Sequence, residues 1–218
     1  MSWPDVRLVV FDLDGTLIDS LRDLAAALNA ALAELAPRSA PLPLSQVRAF
    51  IGDGARLLVT RSLEAVGLSA PVDEALPVFV RAYRQRLLES TTLYAGVKET
   101  LEALRGRHLA VLTNKPGDMS RTILSGLGVA ERFFRILGGG DVAQHKPDPG
   151  GLLELLGASG AAPEQTIVVG DSAIDVRTGQ AAGTHTVGVT YGFAPESLAA
   201  SPPDVLIDDL RHLPPLCG

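Results

Sequence analysis

The sequence predicts an α/β protein, a doubly wound parallel sheet interrupted by an inserted all-helical domain. Two patterns predict it. From residue 93 onward, short apolar runs of strand length alternate with amphipathic helical segments, the signature of parallel βαβ winding. Ahead of them stands one more buried strand, Leu8-Val9-Val10-Phe11, separated from the rest by residues 19–92, in which nothing from 19 to 90 reads as a strand. The expected organisation is a core domain of residues 1–18 and 93–218 and a helical cap domain of residues 19–92 over the C-terminal end of the first strand. Open parallel sheets bind ligands outside those strand ends, and a lid there excludes water and selects what enters.

The elements follow in order. Residues 20–35 carry Leu21, Leu24, Ala25, Leu28, Ala31, Leu32 and Leu35 at helical spacing, with Ser20 and Asp23 placed as a capping box. A proline-rich gap from Pro37 to Pro43 ends that helix. Residues 44–68 read as helix interrupted at Gly52-Asp53-Gly54, and residues 73–90 supply another with Leu76, Phe79, Val80, Tyr83, Leu87 and Leu88 on one side. After Tyr94-Ala95-Gly96 a helix at 97–104 leads to a strand at 109–112. Further strands are expected at 135–137, 166–169, 186–189 and 205–207, with helices at 121–127 and 152–156 between them.

Composition removes several classes of function. With 46% hydrophobic and 20% charged residues the chain is globular, and no apolar run approaches the ~20 residues that span a bilayer. Asp5 and Arg7 interrupt the stretch a signal peptide would need, and the single cysteine, Cys217, has no partner and no metal-ligand spacing, so a reducing cytoplasm is the expected compartment. The net charge of −6 argues against a nucleic-acid surface. The four histidines lack metal-ligand spacing, and His145, the one near the motifs below, is expected at the surface.

The chemistry gathers at strand ends. The first strand stops at Asp12-Leu13-Asp14-Gly15-Thr16, where carboxylates two residues apart project to one side. Such a pair needs a bridging cation or a shared proton, and a hard divalent ion such as Mg²⁺ meets that need. Later strands run into Thr113-Asn114-Lys115 and Gly170-Asp171-Ser172-Ala173-Ile174-Asp175, and Lys146 sits in the stiff loop Gln144-His145-Lys146-Pro147-Asp148-Pro149. Taken singly, each motif also fits a capped helix or a solvated loop. A parallel sheet collects its strand C-termini on one edge, so jointly they describe one site.

With these four motifs in this order, the chain resembles the haloacid dehalogenase-like superfamily, in its phosphatase branch with an all-helical cap. The resemblance implies a Rossmann-like sheet of strand order 5-4-1-2-3. It implies Asp12 as nucleophile forming an aspartyl-phosphate, and Asp14 as general acid and then base. Mg²⁺ would be held by Asp12, the main-chain carbonyl of Asp14 and Asp171. Thr113 and Asn114 would bind the phosphoryl oxygens together with the Gly15-Thr16 turn, Lys146 would balance charge, and Ser172 and Asp175 would support from behind, Asp175 by orienting Lys146 or the waters of the metal. Within the superfamily, Thr113-Asn114-Lys115-Pro116, the cap segment Val47-Arg48-Ala49-Phe50-Ile51-Gly52-Asp53-Gly54-Ala55, and Tyr94-Ala95-Gly96-Val97 resemble most closely the phosphoglycolate phosphatases. That implies a small phosphorylated metabolite as partner, 2-phosphoglycolate first, for a monomer or homodimer. Lys115 and the Gly52 loop would face it, with Arg48 or Arg56 on its carboxylate; Asp53 either belongs to that loop or caps the next helix. Gly150-Gly151 departs from the bulkier helix start usual in similar sequences.

Sugar-phosphate phosphatases and phosphomutases share the core aspartates and stay open as alternatives. A phosphonatase needs a cap lysine, and residues 19–92 contain none. A phospho-acceptor receiver also clusters aspartates, a threonine and a lysine on a parallel sheet, but it carries its acceptor after the third strand and has no helical insert.

Overall fold

The computed structural model describes residues 2–218. Six strands, β1 (Leu8–Phe11), β4 (His108–Pro116), β5 (Arg135–Gly139), β6 (Thr166–Gly170), β7 (His185–Val189) and β8 (Val205–Ile207), pair in parallel in the order β5-β4-β1-β6-β7-β8. This is the expected five-strand order with β8 added at one edge. The winding reverses at β1, which lies between β4 and β6.

Alternation along β1 builds the layers. Leu8 and Val10 pack into one apolar cluster with Leu152, Leu155 and Leu156 of α7 (Gly150–Ser159), while Val9 and Phe11 join the opposite cluster with Val97 and Leu101 of α5 (Val97–Ala103) and Ile123 and Leu124 of α6 (Gly117–Gly126). Gly150-Gly151 has a physical reason. A Cβ at Gly151 would press on the Leu112 and Val142 side chains, so the glycine lets α7 lie close against β4. Helix α8 (Ala173–Ala181) packs on the α7 face in the same manner, where Gly179 meets Val168 and Thr186.

Between the two crossings of a short antiparallel ribbon, β2 (Ile18–Asp19) with β3 (Thr92–Leu93), the chain forms only helices: α1 (Leu21–Leu35), α2 (Leu44–Phe50), α3 (Ala55–Ala65) and α4 (Val72–Arg84). Three local expectations change. Ser20 and Asp23 form no capping box. Ser20 Oγ donates to Asp14, while the Asp23 carboxylate accepts the backbone N–H and hydroxyl groups of both Ser90 and Thr91, tying the end of the insertion to its start. Helix α4 ends at Arg84, short of the expected residue 90, and residues 85–90 continue as turns in which Arg86 N donates to Tyr83 O and Glu89 N to Arg86 O. Finally, β4 runs past Leu112 through Pro116 after a shift in register, so the Thr113-Asn114-Lys115 motif lies within the strand. No helix among the described residues is long and apolar enough to cross a membrane.

Candidate active site

The C-terminal ends of β1, β4 and β6 meet the helical insertion around one cavity of about 70 Å³. Asp12, Asp14, Thr113, Asn114, Lys115, Lys146, Asp171, Ser172 and Asp175 line its floor, and Leu24, Ile51, Leu58, Phe79, Val80 and Tyr83 line its roof. Ordinary strand geometry places Asp12. Its N–H donates to Val169 O at 2.8 Å, continuing the ladder one residue beyond β1.

Asp12 and Asp14 reach the same cavity with different partners. Asp12 Oδ1 accepts from Lys146 Nζ at 2.6 Å, and the same ammonium donates to Asp175 Oδ1 at 2.6 Å. Asp14 instead accepts from Lys115 Nζ, 3.0 Å from each of its oxygens, and from Ser20 Oγ. Lys115 in turn lies 4.6 Å from the ring centroid of Tyr83, a residue of α4, as a cation–π contact. Both lysines are buried. Burial opposes their charge, but Asp12 and Asp175 around Lys146, and Asp14 beside Lys115, hold each ammonium above its usual range.

Asp12, Asp171 and Asp175 each offer a carboxylate oxygen within 4.8 Å of the others, and all three residues are buried. Burial first, then the neighbouring carboxylates, pushes Asp12 and Asp171 above the ordinary carboxylate range. Three acids facing one lysine leave excess negative charge away from water. A hard divalent cation with oxygen ligands fits this donor set. The Asp14 carboxylate is not in the trio, since Lys115 and Ser20 engage it. Asp175 enters it while accepting from Lys146 and from Ser172 N and Oγ at the start of α8.

The other anticipated residues separate into those at the cavity and those away from it. Thr113 lines it, with Oγ1 accepting from Lys115 N at 3.2 Å. Asn114 lines it too, but its side chain is occupied: Oδ1 accepts from Lys146 N at 2.9 Å, and Nδ2 donates to Lys146 O at 3.1 Å and to Gly52 O at 3.3 Å. It clamps the lysine loop and touches the insertion. Gly52 is at the cavity, whereas Gly15 and Thr16 lie behind its lining. Gly15, at φ +89°, backs onto the Asp171 carboxylate so closely that a Cβ there would overlap Oδ2. Arg56 is exposed and paired with Asp73 at 2.5 Å, away from the cavity. Arg48 also lies off the lining; its guanidinium donates to the carbonyls of Gly192 and Phe193. Asp53 caps no helix, since Gly54 precedes α3 and Asp53 pairs with Arg61 at 2.6 Å. His145 is exposed.

The sequence reading missed the loop after β7. Phe193 N, at 2.5 Å, and Ala194 N, at 3.2 Å, donate to Asp171 Oδ2, and both residues line the cavity. The signal was Tyr191-Gly192, a glycine turn at the end of a strand that opens on the same sheet edge.

Residues 9–189 match the family model described as haloacid dehalogenase-like hydrolase. A phosphoglycolate phosphatase of Pseudomonas putida is 43% identical over 97% of this chain and 80% of its own length. That of Pectobacterium atrosepticum is 40% identical over 98% of this chain and 93% of its own. A crystal structure of a predicted phosphoglycolate phosphatase from Haemophilus somnus superposes with a TM-score of 0.90 at 35% identity, covering 96% of each chain.

Proposed function

We propose that this chain, which belongs to the haloacid dehalogenase-like hydrolase family and is a phosphatase, hydrolyses 2-phosphoglycolate to glycolate and phosphate through an aspartyl-phosphate in the cytoplasm. The observation that carries the reading is the separate pairing of two aspartates on one cavity, Asp12 with Lys146 and Asp14 with Lys115. Two carboxylates given different partners suit different tasks.

In this reading Asp12 attacks phosphorus, and the bond to the departing alkoxide breaks as the Asp12–phosphorus bond forms. Asp14, on the leaving-group side, delivers a proton to that alkoxide and later takes one from the water that opens the aspartyl-phosphate. Lys146 keeps Asp12 aimed and balances the phosphoryl charge, and the Thr113 hydroxyl donates to a phosphoryl oxygen. Asn114 acts one step back by holding the Lys146 backbone. Asp12 and Asp171 would hold Mg²⁺, with Asp175 orienting Lys146 and the metal's waters; when bound, the ion supplies positive charge that lets an anionic nucleophile approach an anionic phosphoryl group. Residues 19–92 serve as the cap that closes the apolar roof over these groups.

Charge favours a substrate that carries a second anionic group beside its phosphate. Lys115 is the cation closest to the leaving-group side and would meet the substrate carboxylate. The names of the relatives support the same choice. Phosphate release from 2-phosphoglycolate, hexose phosphates, nucleotides and pyrophosphate, with Mg²⁺ and with EDTA, tests the reading. The expected result is selective, EDTA-sensitive hydrolysis of 2-phosphoglycolate. Equal rates across the panel remove the substrate assignment, and rates indifferent to EDTA remove the metal.

A further inference from the structure

Arg48 of α2 and Asp171 after β6 never touch, yet both grip the same two peptide groups. Gly192 O accepts from Arg48 Nη2 at 2.5 Å, and the N–H across that same peptide, Phe193 N, donates to Asp171 Oδ2 at 2.5 Å. Phe193 O accepts from Arg48 Nε at 2.9 Å, and the N–H across that peptide, Ala194 N, donates to Asp171 Oδ2 at 3.2 Å. Two peptide dipoles therefore stand in parallel between a cation and an anion, each with its carbonyl toward the guanidinium and its N–H toward the carboxylate. Hydrogen bonds so arranged polarise one another in the same sense.

The packing leaves this loop little freedom. A Cβ on Gly192 would overlap Asp171, so the chain passes directly against the carboxylate there. The planar fork of arginine spans the two carbonyls, which the single ammonium of lysine does not do. Arg48 is otherwise exposed and belongs to the helical insertion, whereas Asp171 belongs to the sheet.

We propose that Arg48 is a positioning residue for the metal site. Through the peptides of Gly192–Phe193 and Phe193–Ala194 it sets the Asp171 carboxylate, so that docking of the insertion onto the sheet and binding of the divalent ion strengthen each other. This rests on the reading that Asp171 holds the ion. Linkage requires the coupling to be reciprocal: whatever factor docking adds to metal affinity, the metal adds to docking.

The test is titration calorimetry of Mg²⁺ into the metal-stripped full chain, without substrate, for wild type, R48A and R48K. Removing a direct partner of a metal ligand costs about 10–100-fold in affinity; Arg48 acts one step further out, through two peptides, so R48A is expected at the low end, about 10-fold. R48K, which keeps the charge without the fork, is expected to recover only part. In steady state, the Mg²⁺ concentration for half-maximal rate should rise by the same factor with 2-phosphoglycolate and with p-nitrophenyl phosphate. An R48A variant that binds Mg²⁺ like wild type, with KM raised for 2-phosphoglycolate alone, would make Arg48 a substrate-carboxylate ligand and overturn the proposal. A wild-type chain that binds no Mg²⁺ overturns the metal reading itself, a result distinguishable because it appears before any substitution.

Discussion

Lys146 and Asp12, 134 positions apart, meet at 2.6 Å at the bottom of the cavity; Lys146 keeps Asp175 at 2.6 Å if Asp12 is removed, whereas removing Lys146 takes the cation from both buried carboxylates. A buried charge that loses its partner is left without compensation, at a cost of about 3–5 kcal/mol. Lys146→Met is therefore expected to lower the unfolding free energy of the metal-free protein by about that amount in urea titrations. The Lys146→Met/Asp12→Asn pair should recover part of the loss in a double-mutant cycle. Strict additivity of the two changes would mean that the ion pair does not couple them.

Asp12→Asn separates chemistry from stability. If Asp12 is the nucleophile of the proposed mechanism, turnover should fall below about 1% of wild type, because the two-step route is then closed. The metal-free variant should unfold at the same temperature as wild type or higher, since one buried acid has left a cluster of three that faces a single lysine. Activity above a few percent contradicts the covalent step.

Gly15→Ala forces a side chain into a left-handed backbone position and against Asp171. The backbone alone costs about 1–3 kcal/mol. The displaced carboxylate should weaken Mg²⁺ binding as well, so both denaturation and calorimetry should register the change. Stability lost with metal affinity intact would show that Asp171 is not held from this side.

Asp23 supplies an acid-limb prediction. Burial works against its charge, but the donors of Ser90 and Thr91 outweigh it and hold the carboxyl below its ordinary range. A depressed folded-state value means that the contribution is complete above the unfolded pKa of ~3.9 and disappears as pH falls through the lower, folded value. Asp23→Asn should thus cost about 1–3 kcal/mol at neutral pH, constant between pH 5 and 8, with the gap to wild type narrowing below about pH 4. A gap that is widest in acid would contradict the assignment.

Much of the architecture lay in local pattern. The apolar runs at 8–11, 109–112, 135–137, 166–169, 186–189 and 205–207 all became strands of one parallel sheet. A run flanked by turns and buried on both faces has few other ways to fold. The polar groups at the strand ends were legible for the same reason, because parallel winding brings every strand C-terminus to one edge. Asp12, Asp14, Thr113, Lys146 and Asp171 accordingly line a common cavity.

The partner of each group was another matter. Ser20 and Asp23 stand at capping-box spacing, but stronger partners from outside α1, Asp14 for one and Ser90 and Thr91 for the other, claim both side chains. Arg48 and Arg56 looked equivalent as cationic residues of the insertion. One reaches the loop beside Asp171 and the other turns to Asp73, a choice made by how α2 and α3 lie against the sheet. By itself the sequence determined that the strand-end groups Asp12, Asp14, Thr113, Asn114 and Asp171 come to one edge of the sheet, because burial and strand period are written in neighbouring residues. Only the tertiary structure decided which lysine pairs with which aspartate and that Arg48 donates to the carbonyls of Gly192 and Phe193, because those distances depend on elements far apart in the chain.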